Sequence, residues 1–444
     1  MVKNDALRLE IEDIGIDGEG IARTDGRVVF VKNAIPGESV AAKIILVKKD
    51  FVVAVAQSVL RCSPDRVTPP CPYFGKCGGC QMQHIRYGKQ LEYKARALLN
   101  TLQKAGVRPK VFAAPVPSER EYGCRNKLAL PVCGGGTEVG FFARNSHRVV
   151  GIDDCLLQNF DAKTLIAAAR EFMSQNGLSG YDGTEPGGVV RHVTARKIGG
   201  KIAAAAVLSK KCKADFSALG AELQRRLGLP VDFYLNYNSK SGNAVLGDTS
   251  ERVYGGGETV EYLGYKVAVH PASFFQVNDY VAQKIYGAVG DALTDGGFDT
   301  VIDAYAGAGV MSAMLAKTAK RAVSVERNPD AVSAAKRLAA DNNLSGLTVI
   351  EGDCVEHIPR LLNAQNDSKT ALVLDPPKAG IAPPVTAAVL SAAPQKIVYV
   401  SCNGATLARD LKNLLPVYEL ESITPYDMFP QTSSLESVSV LTKK

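Results

Sequence analysis

Two sets of residues in the sequence have types and spacings suited to chemistry. The first is a single thiol. In "QKIVYVSCNGATLARDL", residues 395–411, an apolar strand pattern from Ile397 to Val400 runs into Ser401-Cys402-Asn403, and a helical pattern follows. Cysteine is a small, mostly buried residue, and most lone cysteines are inert members of a core. Its thiolate is nevertheless a strong nucleophile and a competent leaving group, and the end of a buried strand is where an α/β sheet meets its ligands. The second set is a cluster. "CPYFGKCGGC" places Cys71, Cys77 and Cys80 in a C-x5-C-x2-C pattern, with Gly78 and Gly79 to let the backbone bend around a centre. Cys155, in "GIDDCLLQ", is a candidate fourth ligand, and Cys62 is a competitor. An all-thiolate set suits zinc or an iron–sulfur cluster, and the spacing does not choose between them. No histidine stands at zinc-finger spacing; His84 is the nearest. Cys124, Cys133, Cys212 and Cys354 have no partner pattern and read as structural.

A series of acids accompanies the thiol. From about residue 296 the chain alternates apolar strands and helical stretches, and the strands end in turn at Asp303, Glu326, Glu351-Gly-Asp353, Asp375 and Cys402. Alternation of this kind argues for a doubly wound parallel sheet with its ligand crevice at the carboxyl ends of the strands. "DAYAGAG" at the first strand end offers glycines for a sharp turn and a close backbone approach. Glu326, 21 residues after Tyr305, suits a ribose diol. The third glycine of a dinucleotide fingerprint is missing, so a ligand with a ribose but no phosphates fits better than NAD. S-adenosylmethionine is such a ligand, with Asp353 near its adenine. Asp375-Pro376-Pro377-Lys378 makes a rigid corner that turns the carboxylate toward the crevice.

The remaining chain must position these groups. Residues 1–61 read as five or so short strands with Gly-rich turns, a small barrel of the OB type. Residues 62–268 form a central α+β domain carrying the cysteine loop, and a helix over about 84–106 is expected to pack on the catalytic domain. Residues 269–444 form the Rossmann-like α/β domain. The net charge is +7, and residues 1–110 carry a surplus of 7 basic residues while the rest balances. A basic stretch of this size agrees with tracking a phosphate backbone. There is no leader-like apolar segment at the start and no run of about 18 apolar residues, so a cytoplasmic protein without membrane spans is expected, in which cysteines serve metal or catalysis before disulfides.

Taken together, the motifs resemble the RNA uracil-5-methyltransferases of the branch with a TRAM domain and a [4Fe–4S] cluster, most closely the members acting on 23S ribosomal RNA. "GEGIAR" and "VFVKNAIPGE" resemble TRAM, and "CPYFGKCGGCQMQH" resembles the cluster motif. "HPASFFQVN", "DAYAGAG", "SVERN", "LDPPKAG", "YVSCNGATLARDL" and "DMFPQTSSLESV" resemble the catalytic domain. The resemblance implies that Cys71, Cys77, Cys80 and Cys155 ligate the cluster. It implies that Gln276, Tyr305, Glu326, Asp353 and Asp375 line the pocket for S-adenosylmethionine and uracil, that Cys402 is the nucleophile and that Glu436 is the general base. It further implies an RNA partner, no obligate protein partner and a monomer. The sequence departs from the family pattern at Ala306, often Cys, at Lys378, usually Arg, and at Ser434-Leu435, usually His-Val. Uracil would have to be unpaired or flipped to reach the crevice, and Phe274 or Phe275 would stack on it. The alternatives are the same chemistry on transfer RNA, or an RNA-binding protein with a vestigial methyltransferase fold. An amino-group methyltransferase would not need a nucleophile at the fifth strand end, and a redox protein would need a second centre.

Overall fold

The structure is a computed structural model that describes residues 1–183, 187–240, 242–364 and 369–444. Its C-terminal part is built on an eight-stranded sheet. Across the sheet the strands are Leu347–Glu351, Arg321–Glu326, Thr300–Ala304, Thr370–Leu374, Lys396–Ser401, Glu436–Lys443, Tyr418–Tyr426 and Val111–Phe112. The first five are parallel, and Glu436–Lys443 runs antiparallel to both its neighbours. The chain order reverses at Thr300–Ala304, which opens the crevice there. Thr300–Ala304 and Thr370–Leu374 are buried at every position. Alternate residues feed opposite faces: Val301, Val373 and Val398 pack with the Asp279–Thr294 helix, while Ile302, Leu372 and Ile397 pack with Leu407 and Leu411. This two-residue period is why unbroken apolar runs, with no polar face, mark these strands.

The first residues form a six-stranded sheet in the order Ala6–Glu10, Ser39–Val47, Phe51–Arg61, Arg27–Lys32, Gly20–Thr24, Asp13–Ile14, one strand more than the "five or so" read from the pattern. Irregular register along Ser39–Val47 lets this long strand curl around the small core of Val29, Val31, Val40 and Ile44. The middle of the chain is a five-stranded sheet, Thr249–Tyr254, Val231–Tyr237, Lys201–Leu208, Val190–Ile198 and Lys127–Pro131, with helices Ala162–Gln175 and Phe216–Leu227. The alanine run in Lys201–Leu208 has a packing reason. Ala204 and Ala206 face this region's own core, while Ala203 and Ala205 join the same cluster as Val281 and Ile285 of the C-terminal part. The two regions therefore share one apolar core.

The helix read over about 84–106 spans Tyr87–Lys104, closed by Gly106 in the left-handed region. Leu98 and Leu102 pack with Leu407 and Leu411 of the Gly404–Leu414 helix. Lys94 is buried on the same helix. Its Nζ donates to Asp427 Oδ1 at 2.7 Å and to the Phe429 carbonyl at 3.0 Å. Burial lowers the Lys94 pKa, and the Asp427 charge works against that shift.

Removing one partner of a buried pair strands the other, whereas replacing both by apolar groups is often neutral. Lys94→Met alone is expected to cost about 3–5 kcal/mol of unfolding free energy, and Lys94→Met with Asp427→Leu to recover most of it. Denaturant unfolding of the two variants checks this; equal losses would contradict it.

Candidate active site and cysteine-lined cavity

The site follows from strand register. Lys396–Ser401 and Glu436–Lys443 pair antiparallel with Ser401 opposite Ser437, so one further step sets Cys402 opposite Glu436. Asn403 caps the helix that follows, its side chain accepting from the Ala405 N–H at 3.0 Å. Its Nδ2 donates to the Lys378 carbonyl at 3.0 Å, and Thr406 Oγ1 donates to the same oxygen at 3.2 Å. The Asp375-Pro-Pro-Lys378 corner is thereby tied to the cysteine turn. Gln276 Nε2 donates to Asp375 Oδ2 at 3.3 Å. Cys402, Glu436, Asp375 and Gln276 thus come together.

Their electrostatics are coupled. Burial, then the charges of Glu436 and Asp375, push the Cys402 thiol up to about 11, against the pull of the Lys378 ammonium. Burial also pushes Asp375 up to about 7, opposed by the Gln276 hydrogen bond. Glu436 is held well above the usual carboxylate range by burial and by Asp375, with Lys378 again opposing. Its Oε2 is buried with no hydrogen-bond partner, so this carboxyl has spare capacity beside the thiol.

The donor side lies at the adjoining strand ends. Tyr305 has φ +67°, an uncommon conformation for a residue with a side chain. It lines a cavity of about 20 Å³ with Phe274, Ala306, Met311 and Asp375. Glu326 accepts from the Gly307 N–H at 2.9 Å and the Asn328 N–H at 2.7 Å, which fixes the glycine turn to the second strand. Asp353 caps the Cys354–Asn363 helix through Oδ1 and lies 3.6 Å from Arg327 through Oδ2. Asp303 accepts from Ser312 beneath the turn and is pushed up to about 7, chiefly by burial.

The two phenylalanines separate. Phe275 is 2% exposed, packs edge-on against Tyr262 and lies under the Arg196 guanidinium, so it is a core residue and not a stacking platform. Phe274 is 55% exposed, beside Gly307. The segment between them and the helix is held from the central region: Arg196 Nη1 donates to the Phe275 carbonyl at 3.0 Å and Asn126 Nδ2 to the Gln276 carbonyl at 2.8 Å. Sequence reading missed both residues, and also the barrel's part in the site. Ile16 and Asp17 of the barrel, Lys94, and Ser434 and Leu435 line a cavity of about 160 Å³ with Cys402.

Cys71, Cys77, Cys80 and Cys155 line one cavity of about 50 Å³, with Gln83 and Arg125 at its wall. Burial raises the pKa of the Cys77, Cys80 and Cys155 thiols. Among the described residues, no three or more His, Cys, Asp or Glu side chains converge closely enough to hold a metal ion; the four thiols surround a space and do not meet at a point. The glycines act differently from the bending expected of them. Neither has positive φ. Gly78 is needed because a Cβ there would lie 2.7 Å from the Phe142 carbonyl, and the Gly79 N–H donates to Cys77 Sγ at 3.3 Å. Cys62 is exposed and does not line the cavity, while Cys124 and Cys354 are buried elsewhere.

A parallel five-stranded half-sheet with acids at its strand ends, extended by an antiparallel pair and preceded by a small barrel, defines a S-adenosylmethionine-dependent methyltransferase joined to an RNA-binding module. Comparison with known proteins narrows this. Residues 260–444 match the family described as tRNA (Uracil-5-)-methyltransferase and residues 3–56 match the TRAM domain. A protein of Halalkalibacterium halodurans described as an uncharacterized RNA methyltransferase is 35% identical over 100% of this chain and 98% of its own length. One of Clostridium acetobutylicum with the same description is 34% identical over 99% and 97%. The crystal structure of Pyrococcus abyssi tRNA (uracil-54, C5)-methyltransferase in complex with S-adenosyl-L-homocysteine is similar with a TM-score of 0.80 and 26% identity, covering 98% of this chain and 99% of that one. The chain belongs to the RNA uracil-5-methyltransferase family and is an RNA methyltransferase.

Below its pKa a thiol gains about tenfold in thiolate per pH unit. Alkylation of Cys402 by iodoacetamide, followed by peptide mass spectrometry, should therefore climb from pH 7 to 10 without levelling. Lys378→Met should slow it roughly two- to fivefold at fixed pH by removing an ammonium that favours the thiolate. A plateau below pH 8 would contradict this account.

Proposed function

We propose that this enzyme methylates C5 of a uracil in RNA through a covalent bond between Cys402 Sγ and uracil C6, with Glu436 removing the C5 proton. The observation that carries the reading is the placement of an orphaned buried carboxyl opposite a half-buried thiol by strand register. Uracil C5 is a poor nucleophile. Addition of the Cys402 thiolate to C6 moves the ring electrons toward C5 and O4, and C5 then takes the methyl group. S-adenosylmethionine supplies that methyl as an electrophile. Gln276, Tyr305, Glu326, Asp353 and Asp375 would line its pocket and that of the base. Asp375, poised near neutrality, and Gln276 would donate hydrogen bonds to the enolate oxygen. Glu436 as carboxylate then accepts the C5 proton, the electrons of that C–H bond re-form the C5–C6 double bond, and the C6–S bond breaks to release thiolate. Phe274, exposed at the mouth, would stack on the extruded base.

Four thiols lining one cavity suit a [4Fe–4S] cluster or zinc, and the likeness of "CPYFGKCGGCQMQH" to the cluster motif favours the cluster. Cys71, Cys77, Cys80 and Cys155 would hold the cluster, and no step of the methyl transfer needs an electron from it.

The RNA we propose is 23S ribosomal RNA, on the likeness of the cluster and catalytic motifs to that branch. A second reading, transfer RNA, is favoured by the similarity to the Pyrococcus abyssi enzyme. Either RNA would meet a basic surface. Residues 61–110 hold ten Lys+Arg against two Asp+Glu, while residues 1–60 hold eight against nine. The excess therefore belongs to the cysteine loop and the helix after it, not to the barrel.

Incubation of anaerobically purified protein with labelled S-adenosylmethionine and unmodified 23S ribosomal or transfer RNA should yield 5-methyluridine in one of them. Cys402→Ala should yield none, and Glu436→Gln should lose about 10²-fold or more in turnover. Undiminished methylation by Cys402→Ala would sink the covalent route, and no product with either RNA would favour an RNA-binding role.

A further inference from the structure

The segment that leads into Glu436 does not stand alone. Gln431, five residues before it, is 1% exposed and sits at φ +68°. Its carbonyl accepts two backbone N–H groups, from Gln81 and Met82, each at 3.0 Å. These are the two residues that leave Cys80 of the cysteine-lined cavity. Its own N–H donates to Gln90 Oε1 at 3.1 Å, and its Oε1 accepts from Gln90 Nε2 at 2.9 Å. Gln90, also 1% exposed, donates through the same nitrogen to the Met82 and Ile85 carbonyls at 3.1 and 2.9 Å. The cysteine loop is stiffened on its other side, where Gln81 Nε2 donates to the Gly78 carbonyl at 2.8 Å. One reciprocal amide pair and two backbone bonds thus join the loop bearing Cys77 and Cys80 to the segment bearing Glu436. Gln90, Gln431, Met82 and Ile85 are buried, so a broken bond among them leaves a costly orphan and the arrangement tends to hold or fail as a unit.

We propose that Gln431, through Gln90, is a positioning residue that fixes Glu436 over the Cys402 adduct, and that the order of the cysteine loop sets this placement. The inference rests on the reading of Glu436 as the proton acceptor. It gives the cysteine centre a role that requires no electron transfer: holding Cys80 in place holds Gln81 and Met82 in place, and they hold Gln431. If Gln431 acts only on Glu436, the steps before proton removal should survive its loss. Addition of Cys402 and methyl transfer would proceed, and the methylated adduct would wait for its base.

The test uses the full-length protein and Gln431→Asn. Asparagine tolerates the left-handed conformation, but its amide is one methylene too short to reach Gln90. The expected result is a turnover at least about tenfold lower, S-adenosylmethionine affinity within about twofold of wild type, and a methylated protein–RNA adduct that accumulates on denaturing gels as it does with Glu436→Gln. A purely structural role would instead lower adduct formation, turnover and donor binding together, and that outcome overturns the proposal, as does turnover within about twofold of wild type. The second arm reads no activity. Hydrogen exchange over 427–436 should rise in Cys77→Ser while Lys201–Leu208 stays protected; unchanged exchange over 427–436 overturns the link to the cysteine loop. Absence of adduct in Glu436→Gln would refute the assignment of the base itself, and the exchange arm would still decide the link.

Discussion

Cys402 and Glu436 face each other because two antiparallel strands run out in register at the same end of the sheet. The other features of the site depend on that coincidence. Burial and the nearby carboxylates raise the cost of ionising the thiol, and burial with the Asp375 charge raises that of the Glu436 carboxyl, while the Lys378 ammonium opposes both. The same closeness would let one carboxyl reach the proton on the carbon next to the one that carries the sulfur. The antiparallel pair added to the five parallel strands is what brings Glu436 to the thiol at the fifth strand end.

Three separate regions support this pair. The Tyr87–Lys104 helix clamps the segment before Glu436 through Lys94 and Gln90. The central sheet reaches in through Arg196 and Asn126 to hold the segment that carries Phe274 and Gln276. The barrel closes one wall of the Cys402 cavity with Ile16 and Asp17, and Arg144 fastens that turn by donating to the Asp17 carbonyl and Glu19, both at 2.9 Å. The barrel and the Cys402 cavity are therefore contiguous.

Much of this was legible in the sequence, and the reasons differ by element. The inner parallel strands announce themselves because both their faces are buried and a polar residue lies at or just beside each carboxyl end. The amphipathic helix and the cysteine spacing are equally local signals. What stayed hidden depends on contacts far apart in the chain. Gln90 and Gln431 are ordinary polar residues until folding brings them together across 341 positions. Arg196 looks like a surface cation in an alternating strand, yet it is buried over the Phe275 ring. The strand Val111–Phe112 is too short to leave a pattern. Adjacent Phe274 and Phe275 are indistinguishable by type, and only the backbone direction decides which is exposed. Gly78 was legible as necessary, but the reason is its close approach to the Phe142 carbonyl, not a bend. Of the departures from the family pattern, Lys378 still places a positive charge near the thiol, and Ser434-Leu435 line the Cys402 cavity where bulkier groups would narrow it.

The central claim is a bond between one sulfur and one carbon. The protein should be incubated with S-adenosylmethionine and RNA carrying 5-fluorouridine in place of uridine, digested, and the peptide Ile397–Arg409 analysed by mass spectrometry. Fluorine at C5 leaves Glu436 no proton to remove, so the account predicts a methylated fluorouridine nucleotide held on Cys402. A protein that methylates uridine yet leaves this peptide unmodified, or carries the nucleotide on another residue, would contradict it.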